Sequence, residues 1–255
     1  MKNSSKKNQK WVATTKLLAF PRKIVEKVIL SLLRIKNGEV FYYTDPERLS
    51  GEVLYFNDPE ILKVRAFIKK MRSEQELLLS GIEAYQIFTT VKRTAKISGD
   101  IAEVGVYNGG SARLICEAKG NKALYLFDTF EGLPDLCELD DPKEFHKGQY
   151  LGSLESVKVC LSKYSDVHFH KGIFPLTAET IKNKRFSFVN LDADLYKSTL
   201  SCLEFFYPRM NIGGVIISHD YISVPGVRKA FDEFFKEKTE PIIELPGNQC
   251  LIVKC

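Results

Sequence analysis

GDIAEVGVYNGGSA, residues 99–112, carries a run of high β-propensity (Ile101 to Val106) into a glycine-rich turn and then into a helix starting near Ser111. Glu103, Gly105 and Gly109 follow the spacing Glu-x-Gly-x-x-x-Gly. Glycine in such a turn lets a ligand approach main chain that a Cβ would screen. The helix start beyond it offers free N–H groups and the positive end of a dipole to a carboxylate. Glu103, at the end of the strand, is placed to accept from an ammonium or a hydroxyl, and Asn108 and Ser111 belong to the same candidate binding turn.

A dinucleotide fingerprint reads G-x-G-x-x-G, its third glycine packing helix on strand beside a pyrophosphate. Here the spacing is looser, and an acid stands two residues before the first glycine. That favours S-adenosylmethionine, whose amino-acid head carries no phosphate. A strand, a glycine turn and a helix also serve as plain fold punctuation, so the weight falls on two downstream elements.

From Ile101 onward strands and helices alternate, the signature of a parallel sheet covered on both faces. Strands are expected near 101–106, 123–128, 167–171, 186–191 and 214–219. Helices are expected near 111–119, 153–164, 176–183, 197–207 and 225–238. Ile242–Leu245 and Cys250–Lys254 flank Pro246-Gly247-Asn248, a hairpin signal. The expected fold is α/β and Rossmann-like, with a mostly parallel seven-stranded sheet, a C-terminal antiparallel hairpin and N-terminal helices.

Open α/β sheets bind ligands beyond the carboxyl ends of their strands. ALYLFD ends on Asp128, about 20 residues after the glycine turn, where an acid can accept both hydroxyls of a ribose. FSFVNL delivers Asp192 and Asp194, and VIIS delivers His219 and Asp220. Neighbouring strands lie about 5 Å apart, so these tips converge. Asp192, His219 and Asp220 then offer oxygen, nitrogen and oxygen to a divalent cation, or a general base beside a bound sulfonium. Asp194, just ahead of Lys197-Ser198-Thr199, reads as organising the turn into the next helix. The long acidic loop 131–152 reads as a lid or binding loop carrying His146 and Tyr150, or as a solvated face.

The net charge of +5 is unevenly spread. Residues 1–36 hold ten Lys/Arg against one Glu, and the rest of the chain holds 27 basic against 31 acidic residues. The body is therefore acidic, which disfavours a nucleic-acid partner. Residues 1–40 read as a basic leader with an amphipathic helix, in which Ile24, Val25, Val28, Ile29, Leu32 and Leu33 recur at helical spacing. Its charges rule out a span of ~20 apolar residues. The helix either packs on the body or in a homo-oligomer, or lies peripherally on an anionic membrane. Residues 41–98 read as a helical cap: an aromatic, loop-like stretch over 41–57, a helix opening at Asp58-Pro59, and a second helix capped by Ser73-x-x-Glu76. Residues 99–255 form the cofactor-binding domain. The six cysteines lack metal-ligand spacing and read as free thiols of a reducing, cytoplasmic setting.

Taken together, residues 99–112, LYLFDTFEGLP (124–134), FVNLDADLYKSTLSCLEFFYPRM (188–210), GGVIISHDY (213–221) and GVRKAFDEFF (226–235) resemble the macrocin O-methyltransferase family. The resemblance implies a class I methyltransferase fold and transfer of a methyl group from S-adenosylmethionine to a sugar hydroxyl, assisted by a divalent metal, usually Mg²⁺. It implies cofactor contacts from Glu103, Gly105, Gly109, Ser111 and Asp128. It also implies metal ligation by Asp192 and Asp220, with Asp192 helping to deprotonate the acceptor. Where family members resembling the macrolide enzymes carry Asp-Asp-Tyr, the chain carries His219-Asp220-Tyr221. Imidazole suits other divalent metals better than Mg²⁺, so either the metal changes or His219 acts as the base without one. The alternatives are a catechol-type O-methyltransferase and a non-catalytic cofactor-binding scaffold in glycan assembly.

Overall fold

The computed structural model describes residues 39–45, 50–56 and 59–255. The expected leader helix lies outside the described residues. The chain forms two compact units that divide between Lys63 and Val64. In the first, β1 (Glu39–Asp45) and β2 (Ser50–Phe56) pair antiparallel, Glu39 opposite Phe56 and Asp45 opposite Ser50. This corrects the loop expected over 41–57. The run Val40-Phe41-Tyr42-Tyr43 is rich in strand-forming residues, and its backbone pairs with Glu52-Val53-Leu54-Tyr55.

α1 (Pro59–Glu74) starts on a proline, whose missing N–H costs nothing at a helix start. α2 (Gly81–Arg93) is capped by Ser80 and Glu83: the Glu83 N–H donates to the Ser80 hydroxyl, and the Ser80 N–H donates to the Glu83 carboxylate. The capping box is therefore here and not at Ser73-x-x-Glu76. Ser73 is still inside α1, donating its hydroxyl to the Lys70 carbonyl.

The second unit is built on seven strands: β3 (Asp100–Val104), β4 (Leu124–Asp128), β5 (Val167–Lys171), β6 (Phe186–Leu191), β7 (Met210–Ser218), β8 (Ile243–Glu244) and β9 (Cys250–Val253). Their order is β5-β4-β3-β6-β7-β9-β8, with β3 to β7 parallel and β9 antiparallel to both neighbours. The parallel strands are joined through α3 (Gly110–Ala118), α4 (Leu154–Leu161) and α5 (Tyr196–Phe206), and α6 (Pro225–Phe235) follows β7. The helix expected over 176–183 is only a single 3-10 turn, Glu179–Ile181. Of the turn only Ile181 is buried, too little apolar surface to hold a longer helix.

Each face of the sheet carries its own core. One face packs Ala102, Val104, Phe127, Val189 and Leu191 under Phe206 and Phe231 of α5 and α6. The other packs Ile101, Leu124, Leu126 and Phe188 under Ile87, Leu114 and Ile115 of α2 and α3. Burying each of these large side chains contributes roughly 1.5–3 kcal/mol. The chain order reverses on either side of β3, which opens a crevice beyond the ends of β3 and β6. Among the described residues no helix is long and apolar enough to cross a membrane.

Candidate active site

The ends of β3, β4, β6 and β7 open into a cavity of about 400 Å³ lined by Gly105, Asp128, Asp192, Asp194, His219 and Asp220, together with apolar walls from Leu79, Phe127, Leu133 and Phe174. The convergence expected of the strand tips is met. Main-chain bonds enforce it: Asp192 N–H donates to the Val104 carbonyl and His219 N–H to the Leu191 carbonyl.

Gly105 shows a reason for glycine that differs from the expected one. Its φ is +87°, and a Cβ built there would lie 1.8 Å from the Asp192 carbonyl oxygen. The close approach is by β6's own exit. Gly109 (φ +81°) is the N-cap of α3, and a Cβ there would press within 3.0 Å of Val157. Gly109, Asn108, Glu103 and Ser111 do not line the cavity. The Asn108 side chain donates to Glu76, and its carbonyl accepts from Gln75.

Glu103 points, by strand alternation, to the face that Ile101 packs, and it is fully buried there. Oε1 accepts from the Asn190 side chain at 2.9 Å, and Oε2 has no hydrogen-bond partner. Burial pushes its carboxyl up to about 8, against the opposing pull of Ser111 and Asn190. Asp128 works on the main chain: Oδ2 accepts from Val106 N–H (2.7 Å) and Tyr107 N–H (2.8 Å), and Oδ1 accepts from Phe130 N–H (2.6 Å). Of about four lone-pair sites on a carboxylate, three are taken, which leaves room for about one further donor where the sequence suggested two.

At the other side of the cavity, His219 Nδ1 stands 3.3 Å from Asp192 Oδ1 and 2.9 Å from Asp220 Oδ1. These are the residues whose ligand atoms cluster within 4.8 Å of one another. Burial opposes a charge on the ring, but the Asp192 charge, the contacts with the Asp192 and Asp220 carboxylates and the nearby Glu83 carboxylate outweigh it and hold the imidazole well above its ordinary range. Asp194 is pushed well up by burial and by the charges of Asp192 and Asp220. It does more than organise a turn, since it lines the cavity beside them. Tyr107, Tyr150, Asp194 and Asp220 all have positive φ and all line the cavity. Such backbone, uncommon for tyrosine, concentrates where a site over-determines geometry. Tyr150 meets Tyr107 edge to ring at 6.0 Å, whereas His146 stays on the surface, facing the Lys147 carbonyl. All six cysteines are free.

Two residues of this region are not evident from sequence. Glu83 lies behind His219, with Oε1 3.7 Å from Nε2. Burial would raise its carboxyl, yet the facing His219 ring and hydrogen bonds from Ser80 and Asn248 bring it down to about 2. Asn248, in the β8–β9 turn, donates its side chain to Asp220 Oδ1 and its N–H to Glu83 Oε1.

Strand order, glycine turn and acid-lined cavity together define a Rossmann-like fold of the class I methyltransferase kind. A profile of Macrocin-O-methyltransferase (TylF) matches residues 83–249. The chain belongs to the macrocin O-methyltransferase family. It is 30% identical over 168 residues to the 8-demethyl-8-(2,3-dimethoxy-alpha-L-rhamnosyl)-tetracenomycin-C 4'-O-methyltransferase of Streptomyces olivaceus, covering 59% of this chain and 64% of that one. It is 28% identical over 153 residues to the demethyldecarbamoylnovobiocin O-methyltransferase of Streptomyces niveus, covering 54% and 58%. The chain thus spans less than two thirds of the length of either relative. Among solved structures, the O-methyltransferase NovP superposes with a TM-score of 0.58 at 25% identity, over 67% of this chain and 78% of that one. The calicheamicin methyltransferase CalS11 shares the fold with a TM-score of 0.57 at 17% identity, over 78% and 94%.

Proposed function

We propose that the protein transfers the methyl group of S-adenosylmethionine to a hydroxyl of a sugar, in a glycoside, glycan or secondary metabolite, with the assistance of a divalent cation. The observation that carries this reading is the meeting of the glycine turn and Asp128 with Asp192, His219 and Asp220 around one cavity. Family membership and the name of the Streptomyces olivaceus relative, which specifies a rhamnosyl compound, support the acceptor class.

The residues present fit both groups. For the cofactor, the cavity combines apolar walls with the spare acceptor site on Asp128, suited to a nucleoside. Glu103 and Ser111 lie beneath the turn and Asn108 and Gly109 shape it, so these four act on the cofactor through the loop they hold. For the cation, Asp192, His219 and Asp220 supply two oxygens and a nitrogen. S-Adenosylmethionine, when bound, supplies a methyl group on a good leaving group. A bound cation stabilises developing negative charge on a hydroxyl oxygen.

The protein's own task is to orient the hydroxyl for in-line attack and to take its proton. As the O–C bond forms and the S–C bond breaks, that proton passes to Asp192, at the tip of the central strand. His219 is less suited to accept it, because Nδ1 faces Asp192 and Asp220, where it would serve the cation, and Nε2 faces Glu83. Asp194, whose carboxyl is pushed well up by burial and by the charges of Asp192 and Asp220, lines the pocket beside them.

The test is Asp192→Ala. Methyl transfer to a panel of glycosides and catechols is expected to be lost, while calorimetric S-adenosylmethionine affinity stays within about threefold, since the carboxylate is assigned to the acceptor side. Loss of both in a folded variant would remove Asp192 from the chemistry. Turnover by the parent enzyme on catechols and not on glycosides would replace the sugar with a phenol.

A further inference from the structure

Glu83 takes no part in the reaction as proposed, yet it is buried and held by main-chain donors from two separate segments. Its side chain is only 6% exposed, and two main-chain N–H groups fix it, from Ser80 at 2.6 Å and Asn248 at 2.7 Å. Gly247 makes the approach of the β8–β9 turn feasible, because a Cβ there would stand 2.8 Å from Glu83 Oε1. Through the same turn, Asn248 Nδ2 holds Asp220 Oδ1 at 2.6 Å. One hairpin turn therefore braces both members of the His219-Asp220 pair, the imidazole from behind and the carboxylate from the side.

Metal-binding histidines characteristically point one ring nitrogen at the ion and the other at a carboxylate, which sets tautomer and ring orientation. His219 has both faces. Nδ1 looks toward Asp192 and Asp220, and Nε2 looks toward Glu83. The spacing also suits a shared ion. Ligand atoms each 2.0–2.2 Å from one ion stand about 3 Å apart at neighbouring octahedral positions and about 3.4 Å apart in a tetrahedron. Nδ1 lies 2.9 Å from Asp220 Oδ1 and 3.3 Å from Asp192 Oδ1, and the three ligand atoms all lie within 4.8 Å of one another.

We propose that Glu83 is a positioning residue that presents His219 through Nδ1 as a nitrogen ligand, so that the site selects a borderline dication such as Mn²⁺ or Zn²⁺ over Mg²⁺. The inference rests on the methyl-transfer reading for the place of the cation in the reaction, but its test does not use turnover. On binding, a proton leaves Nδ1 for solvent, and the Nε2–H stays directed at Glu83. Mg²⁺ prefers an all-oxygen octahedron and gains little from imidazole, whereas Mn²⁺ and Zn²⁺ accept mixed nitrogen and oxygen sets.

The experiment takes the full chain, stripped of metal, through calorimetric titrations with Mn²⁺ and with Mg²⁺. Pulsed electron paramagnetic resonance on the Mn²⁺-loaded protein then reports directly bonded nitrogen. Mn²⁺ is expected to bind at least about tenfold more tightly than Mg²⁺, with nitrogen coupling present. Glu83→Gln is expected to weaken Mn²⁺ binding by about 10–100-fold, with Glu83→Asp recovering part of the loss. Glu83 also caps a helix, so His219→Asp carries the test if the Gln variant does not fold: nitrogen coupling disappears and the Mn²⁺ preference narrows. Equal Mn²⁺ and Mg²⁺ affinities without nitrogen coupling overturn the proposal, as does an unchanged Mn²⁺ affinity in folded Glu83→Gln. S-Adenosylmethionine binding on the same samples separates the two readings. Its loss alongside an intact Mn²⁺ preference sinks the methyl-transfer assignment and leaves the pairing of Glu83 with His219 standing.

Discussion

Replacing Glu103 with glutamine should make the ligand-free protein more stable at neutral pH and flatten its pH dependence. In the native state the Glu103 carboxyl sits fully buried with Oε2 unpartnered, and its pKa is pushed from the ordinary 4.5 up to about 8. A raised acid pKa means that the native state keeps a proton the unfolded chain has released. Glu103 is therefore harmless below the unfolded pKa, and it erodes stability progressively as pH rises toward the folded one. With one proton difference the slope is about 1.4 kcal/mol per pH unit, so the parent protein should lose roughly 2–3 kcal/mol from this residue between about pH 5 and pH 7. Glutamine keeps the oxygen that Asn190 bonds and removes the titration. Urea unfolding followed by far-ultraviolet circular dichroism at both pH values measures this directly. The stability advantage of Glu103→Gln should be small at the lower pH and close to the full figure at the higher. Parallel pH profiles for the two proteins would refute the assignment of Glu103 as a protonated, costly acid.

Gly105→Ala is expected to unfold the protein or lower its melting temperature by more than about 8 °C, because the new Cβ meets main chain and the backbone is left-handed; a smaller shift in a melting curve would show that the two strand ends can separate. Glu240, brought down to about 2 by the Lys254 ammonium and the Tyr207 hydroxyl against the opposing effect of burial, stabilises the fold above its unfolded pKa of 4.5 and ceases to do so as pH falls toward 2. Glu240→Gln should therefore lower the urea midpoint at neutral pH and converge on the parent in acid.

The parallel sheet was legible because its strands are short apolar runs ending in polar tips, and those tips are the chemistry. Asp128, Asp192, His219 and Asp220 could be placed from strand ends alone, since topology brings strand ends together whatever the side chains do. Ser73-x-x-Glu76 and Ser80-x-x-Glu83 satisfy the same capping pattern, and only packing decides that α1 runs through the first. Glu83 was missed for a related reason. A glutamate three residues into a helix is fully explained by its cap, and nothing local announces that its other oxygen meets the hairpin turn at Asn248, 165 residues further on. Gly105 was marked correctly as a position that excludes a side chain, but what fills the space is the chain itself.

That last contact bears on how the site can vary. With Gly105 seated against the Asp192 carbonyl, the turn assigned to the methyl donor and the acid assigned to the acceptor's proton form one mechanical piece, joined through main chain. Their separation cannot be tuned by exchanging side chains, and a shift in one strand carries the other with it. Changes of acceptor must come from the periphery of the cavity, where residues such as Leu78, Tyr150 and Ile173 stand partly in solvent and can be traded without disturbing that fixed centre.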